Sequence, residues 1–127
     1  MLLKRFLLLS LPLAVTACTP FVNVVDMSKV PTKERAAAMN VEVIPVGAVM
    51  PQKMAFVGPV EATSCKLLLT DPPASTANAT EQLQIKALRL GGNAIIDYAC
   101  DRSGTDALGT NCWNSVTCAG TAVKVAK

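Results

Sequence analysis

The sequence predicts an α+β fold: a small β-β-α-β-β domain in which one helix packs on a short sheet, carried on an N-terminal tether. Three observations predict it. One amphipathic segment lies between two pairs of short segments rich in Val, Ile and Ala, as expected when a helix joins two halves of a sheet. Only five aromatic residues are present, so aliphatic side chains must form the core. Four cysteines lie in the second half of the chain and offer covalent stabilisation: Cys65, Cys100, Cys112 and Cys118.

Residues 1–17 are predicted to be a secretory signal peptide. Lys4 and Arg5 precede an uncharged apolar run, FLLLSLPLAV, at 6–15. A positive start, a short apolar run and small residues before a cut site are typical of such signals. The run is shorter than the roughly 20 residues that a membrane-spanning helix needs. Pro12 also interrupts it, so we do not expect a permanent transmembrane helix.

Cys18 is the predicted lipidation site. The preceding residues, 15–17, read Val-Thr-Ala, which resembles the lipobox of bacterial lipoproteins, in which the cysteine is lipidated and becomes the mature N-terminus. An ordinary signal peptidase cut near Ala17 is the alternative. Several acyl chains, at about 0.8 kcal/mol per buried methylene, anchor a protein stably. Thr19 follows Cys18; aspartate there would resemble an inner-membrane retention signal, so the sequence favours the outer membrane.

The composition of the mature chain argues against several functions. Removal of 1–17 leaves 110 residues, with 10 basic against 9 acidic side chains and no basic cluster, so we expect no nucleic-acid binding. Histidine is absent, and it is the usual general base and a common zinc ligand. We therefore predict no enzyme activity, no cofactor and no metal. The isolated polar residues have no visible catalytic partner: Ser103, Ser115, Asp97 and Asp101.

Residues 18–40 are predicted to be the lipidated N-terminus and a flexible tether. FVNVV at 21–25 is apolar and either contacts the membrane or a partner, or forms a short strand on the domain. KERAAAM at 33–39 favours one or two helical turns, which are marginal alone. A 22-residue coil has an end-to-end distance of roughly 25 Å and reaches about 75 Å when stretched.

The domain is predicted to occupy 41–127 and to begin with two strands. VEVIPV at 41–46 alternates in polarity, and its proline indicates an edge or an end. The second strand is predicted at 53–62, with a bulge or kink at Gly58-Pro59. Residues 63–76 are predicted to form a loop containing Asp-Pro-Pro, and we expect residues 67–69, three leucines, to pack onto the core.

Residues 76–90 form the predicted helix. Ser75 is placed to cap its first turn, and Gly91-Gly92 is typical of a helix end. The predicted core face consists of Ala79, Leu83, Ala87 and Leu90, widened by Leu88. The side chains predicted to face water are Gln82, Lys86 and Arg89.

Two strands are predicted after the helix. NAIIDYAC at 93–100 forms the first, with Asp97 pointing to solvent, and a mobile polar loop follows at 101–111. The last strand is predicted at 112–127, with a bulge at Ala119-Gly120. The four domain cysteines are expected to form structural disulfides, because the chain is exported and lacks the C-x-x-C spacing of redox motifs. Three pairings are possible.

The C-terminal half resembles the RcsF family of outer-membrane lipoproteins. The matching segments are GPVEATSC (58–65), the Asp-Pro-Pro turn before the helix, GGNAIIDYAC (91–100) and GTNCWNSVTCAGTAVKVAK (109–127). The resemblance covers roughly 41–127 and the lipobox. It implies a periplasmic domain with two disulfides, Cys65–Cys112 and Cys100–Cys118.

The resemblance also implies a function without catalysis. RcsF lipoproteins sense envelope stress for the Rcs phosphorelay, and the implied partners are outer-membrane β-barrel proteins, the barrel assembly machinery and an inner-membrane regulator similar to IgaA. The signal would pass by protein–protein contact. The candidates for that contact are an edge strand, the 101–111 loop, Trp113 and Tyr98; the alternative for Trp113 is simple packing over a disulfide.

A structural or assembly-assisting envelope lipoprotein without a signalling role is the alternative function. The family's tether is longer and proline-rich, whereas this one has only Pro20 and Pro31. Reach and stiffness are both reduced as a result. The partner at the outer membrane is therefore open at this point.

Overall fold

The computed structural model describes residue 20 and residues 22–127. The predicted signal peptide and the lipidation site Cys18 lie outside the described residues. The elements, in chain order, are a 3₁₀ helix Met27–Lys29, α1 Thr32–Ala38, β1 Glu42–Pro45, β2 Met54–Lys66, α2 Thr76–Arg89, β3 Ala94–Ser103 and β4 Asn114–Val125. The predicted α+β class and the β-β-α-β-β order of the domain are confirmed.

The four strands form one sheet in the order β1-β3-β4-β2. β4 lies at the centre and pairs antiparallel with both β2 and β3, while the short edge strand β1 pairs parallel with β3. β2 continues through 63–66, which we predicted as loop, because these residues pair with 114–117 of β4. The sheet therefore extends four residues further along β2 than the sequence indicated.

The main core lies between α2 and the sheet. Ser75 caps the helix as predicted, since its Oγ accepts a hydrogen bond from the Asn78 N–H at 3.1 Å. Ala79, Leu83 and Ala87 are fully buried, as predicted. The prediction for Leu90 is wrong, because it is the C-cap residue and is 53% exposed.

A second face of α2 is also buried, which the sequence did not predict. Gln82 was expected to face water but is 1% exposed, and Ile85 is fully buried against Val30 and Ala38. The cause is the segment 22–38, which lies across this face. Lys86 was also expected to face water but is only partly exposed, whereas Arg89 is exposed as predicted.

The bulges place one strand close to another. The predicted irregularity near Gly58 is confirmed by a register shift between Phe56 and Gly58. The prediction of a bulge at 119–120 is wrong, because the bulge lies on the facing strand β3, between Ile96 and Ala99. Asp97, within this bulge, is exposed, as predicted, and has φ +54°. A Cβ on Gly120 would lie 2.6 Å from Ile95 Cγ2. Glycine is therefore required at 120 by the close approach of the bulged strand.

The opposite face of the sheet carries a smaller apolar cluster. It consists of Ile44, Ala94, Ile96 and Val123, with Met54 and Val125 packed against them. Both faces of the sheet thus contribute to the core. Within the part of the chain that the structure describes, no helix has the length and apolar character needed to cross a membrane.

Candidate functional site

Two disulfides cross-link the part of the sheet next to the loops that follow β2 and β3. Cys65, near the end of β2, is bonded to Cys112, and their Cα atoms are 5.5 Å apart. Cys100 of β3 is bonded to Cys118 of β4, its direct partner in the antiparallel register, with Cα atoms 4.0 Å apart. The structure has the pairing that the resemblance implied.

Tyr98 is partly buried and packs against the main core. Its hydroxyl is 2.6 Å from Thr80 Oγ1, which in turn donates to the Thr76 carbonyl at 2.8 Å. Because the single Thr80 hydroxyl proton is used in that bond, the Tyr98 hydroxyl is the donor to Thr80. Cys100 Sγ lies 3.0 Å from the same hydroxyl. These contacts tie the ring to α2 and to the disulfide, so Tyr98 is a poor candidate for an interface anchor.

An exposed apolar surface lies beside the Cys65–Cys112 bridge. We call it the disulfide-end surface and define it by residues 67–69 and 105–113. Its exposed members are Leu68 at 50%, Leu69 at 71%, Leu108 at 95% and Trp113 at 46%. Exposed apolar patches on a soluble domain mark interaction sites more often than isolated apolar residues do.

Two of the three leucines at 67–69 contradict the prediction that they pack on the core. Leu68 and Leu69 are exposed, and Leu67 is partly buried. The carboxylate of Asp71 accepts hydrogen bonds from the backbone N–H groups of Leu67, at 3.2 Å, and Leu68, at 2.7 Å. This arrangement turns the chain after β2, so the leucines are held at the end of the sheet.

A small cavity lies within the disulfide-end surface. Its volume is about 210 Å³, and its lining is mostly apolar: Leu67, Thr105, Ala107, Asn111, Cys112 and Trp113. The Trp113 side chain therefore lies beside the disulfide and also lines a depression open to solvent. Both interpretations of Trp113 in the sequence apply in part, since the ring packs near Cys112 and remains almost half exposed.

The loop that carries Leu108 is held by hydrogen bonds. The Asp106 N–H donates to the Cys112 carbonyl at 3.2 Å, and the Gly109 N–H donates to Asp106 Oδ1 at 2.7 Å. At the base of the loop, the Thr105 hydroxyl donates to the Trp113 carbonyl at 3.0 Å. The loop was predicted to be mobile, but these contacts give it a defined conformation in the structure.

The sheet edges are less available than the disulfide-end surface. β2 is a long edge strand, but the carbonyl of Glu61 accepts from Lys86 Nζ at 2.7 Å and that of Thr63 accepts from Gln82 Nε2 at 3.2 Å. Pro59 has no N–H to offer a partner strand. The other edge, β1, has four residues and ends at Pro45. Side chains and prolines thus protect both edges against strand addition.

The polar residues considered for catalysis do not form a reactive group. Asp97 is exposed at the bulge, and Asp101 faces Thr117 across the strand pair, while Ser103 faces Ser115. Among residues 22–127, no three His, Cys, Asp or Glu side chains are grouped to hold a metal ion. Leu108 was the functional candidate that sequence reasoning missed, although it is the one large apolar residue in the polar loop 101–111.

Comparisons with known proteins identify one family. Residues 24–126 match the family model described as RcsF lipoprotein. No curated protein matches the chain. Among solved structures, a DUF74-family protein of unknown function from Pediococcus pentosaceus is similar over 66% of this chain and 96% of its own, with 20% identity and a TM-score of 0.47.

Proposed function

The chain belongs to the RcsF lipoprotein family, and from this membership we propose that it senses envelope stress and passes the signal by protein–protein contact. The family consists of signalling lipoproteins of the envelope and is not a known enzyme family. The match over residues 24–126 is the observation that carries the proposal, because it includes both disulfides and the whole sheet.

The proposed attachment is a lipid at Cys18. Residues 1–17 are removed as a signal peptide, and acyl chains on Cys18 hold the protein in the outer membrane with its domain in the periplasm. Thr19 supports the outer membrane, since it stands where aspartate would resemble a retention signal. In an undamaged envelope, the domain is bound by β-barrel proteins and the barrel assembly machinery.

The proposed signalling contact is made by the disulfide-end surface with an inner-membrane regulator similar to IgaA. Leu108 and Trp113 support this choice. Leu108 is a fully exposed apolar side chain on a loop held by hydrogen bonds, and Trp113 is a half-exposed aromatic ring that lines a cavity. Tryptophan in such a setting is a frequent hot spot of protein–protein binding.

Trp113→Ala is expected to reduce recovery of the inner-membrane regulator about tenfold or more when the mature chain is used for capture from envelope extracts. A hot-spot residue contributes roughly 2 kcal/mol or more to binding, which corresponds to at least that change. Phe56→Ala is the matched control, because Phe56 is an aromatic residue of β2, 72% exposed, at the far end from Cys65. Equal loss in both variants, or recovery of barrels alone by the unaltered chain, would favour the structural-lipoprotein alternative.

Cys18→Ala is expected to release a soluble periplasmic protein and to raise basal phosphorelay output. Without acyl chains the domain is no longer held at the outer membrane and meets the inner-membrane regulator freely. Membrane fractionation, mass spectrometry of the N-terminus and a phosphorelay reporter measure the three consequences. Unchanged basal output from a soluble variant would contradict the proposed sensing role.

A further inference from the structure

Residues 22–38, which we call the strap, are bound to α2 by two polar side chains. The Val25 N–H donates to Gln82 Oε1 at 2.8 Å. One turn further along α2, Lys86 Nζ donates to the Asn23 carbonyl at 3.2 Å. Burial lowers the pKa of Lys86, and the nearby Glu61 carboxylate opposes this effect. Both side chains also bond to β2, so they connect the strap to the sheet edge.

An apolar cluster closes the same interface. Val30 is 7% exposed, while Ala38 of α1 and Ile85 of α2 are fully buried. Val25 and Met27 pack against this cluster from the strap and Leu88 from α2. The strap therefore covers Ile85 of α2, so this helix is buried both against the sheet and beneath the strap.

Two exposed ion pairs align α1 with α2. Arg35 Nη2 lies 2.7 Å from Glu81 Oε1, and Arg89 Nε lies 2.6 Å from Glu34 Oε1. The hydrogen bond from Arg89 lowers the pKa of Glu34. Exposed pairs of this kind stabilise little but fix geometry. The ion pairs and the hydrogen bonds of Gln82 and Lys86 thus give the docked strap a specific position.

The strap is expected to bind and release as one unit. α1 has seven residues, and a helix of that length does not persist in water without tertiary contacts. Loss of the contacts with Ile85 therefore also unfolds α1. The main core beneath α2, the four-stranded sheet and both disulfides contain no residue of the strap, so we expect the domain to stay folded when the strap leaves.

We propose that the strap is a releasable element that sets how far the domain can move from its lipid anchor. This rests on the proposed function, because the anchor is Cys18. With the strap docked, Val22 is four peptide steps from Cys18 in sequence, so at most about 14 Å of chain separates the docked segment from the anchor. With the strap released, the free segment is 19–40, which reaches about 75 Å when stretched.

Docking therefore keeps the disulfide-end surface near the outer membrane, and release lets it reach a partner across the periplasm. Release thus lengthens the reach of the short, proline-poor tether about fivefold. The docked strap shortens the free length of the tether and also covers Ile85. It therefore opposes contact between the domain and a distant partner.

Ala38→Glu is the test variant, because it places a charge in the buried contact from the strap side and leaves the domain unaltered. Ala36→Glu is the matched control, being an exposed alanine of the same helix. Hydrogen exchange of the mature chain is followed by mass spectrometry. We expect strap amides to exchange at least tenfold faster in Ala38→Glu than in Ala36→Glu or the unaltered chain. Amides of β2–β4 should be equally protected in all three.

Phosphorelay output is then compared in cells that carry the same three chains. We expect at least a threefold rise in basal output for Ala38→Glu and none for Ala36→Glu. Rapid strap exchange in the unaltered chain, or a released strap with unchanged output, overturns the proposal. Failure of the proposed function looks different: cells lacking the whole chain would still respond to envelope stress, while the exchange results would stand.

Discussion

Alanine at both Cys65 and Cys112 is expected to lower the free energy of unfolding by about 4 kcal/mol. The bridge joins residues 47 apart in sequence, so its loss restores much conformational freedom to the unfolded chain. Net stabilities of domains are typically about 5–15 kcal/mol. Urea unfolding of the mature chain, monitored by Trp113 fluorescence and by circular dichroism, measures the change.

The second bridge provides the control, because it differs mainly in loop length. Cys100 and Cys118 are 18 residues apart, and their replacement by alanine is expected to cost about 3 kcal/mol. Each bridge has one well-buried sulfur, with Cys112 2% and Cys118 0% exposed, so the lost burial is similar. A larger loss for the Cys100–Cys118 pair would contradict the chain-entropy explanation of the difference.

The local elements could be predicted because their signals are local. The helix at 76–90 followed from one apolar stripe, a serine cap and a glycine pair, and all three have their expected roles in α2 except for Leu90 of the stripe, which is exposed at the C-cap. The four strands followed from alternation and β-branched residues. The order of strands in the sheet could not be predicted, since the placement of β4 between β2 and β3 depends on pairing between distant segments.

The second buried face of α2 could not be predicted for a physical reason. Periodicity identifies a helix face by its apolar residues, but the face beneath the strap is mixed: one apolar residue, Ile85, lies between Gln82 and Lys86, whose polar ends bond to backbone. The strap offered only scattered apolar signals: Val25, Met27, Val30 and the three alanines at 36–38. Small side chains permit close helix contact without standing out in a hydropathy pattern.

The candidate surface was predicted in part. Trp113 and the 101–111 loop were identified as possible contacts from residue type alone, and the structure places them beside one another. Tyr98 was equally plausible from sequence, but the bulge at 97–98 directs its hydroxyl to Thr80. The exposure of residues 68–69 depended on a turn made by Asp71, whose side-chain role sequence patterns do not reveal.

Gln82→Met is expected to lower the free energy of unfolding by about 3 kcal/mol. The Gln82 amide is 1% exposed and makes three hydrogen bonds: it accepts from the Val25 N–H and donates to the Thr63 carbonyl and to Asn78 Oδ1. Methionine has a similar size and helix propensity but leaves these groups without a partner. Unsatisfied buried polar groups are each destabilising by roughly 1–3 kcal/mol.

Gln84→Met is the matched control, because it removes a single glutamine hydrogen bond and leaves the three bonds of Gln82 in place. Gln84 lies two residues away on α2, and its Nε2 donates one hydrogen bond to the Val41 carbonyl at 2.8 Å, so a loss of about 1 kcal/mol in the free energy of unfolding is expected. Of the two variants, only Gln82→Met should also accelerate exchange at Val25, because Gln82 accepts from the Val25 N–H and Gln84 has no bond to the strap. Equal destabilisation by the two variants would mean that the Gln82 network does not hold the strap, which would then depend on Lys86, the two ion pairs and the apolar contacts of Ile85.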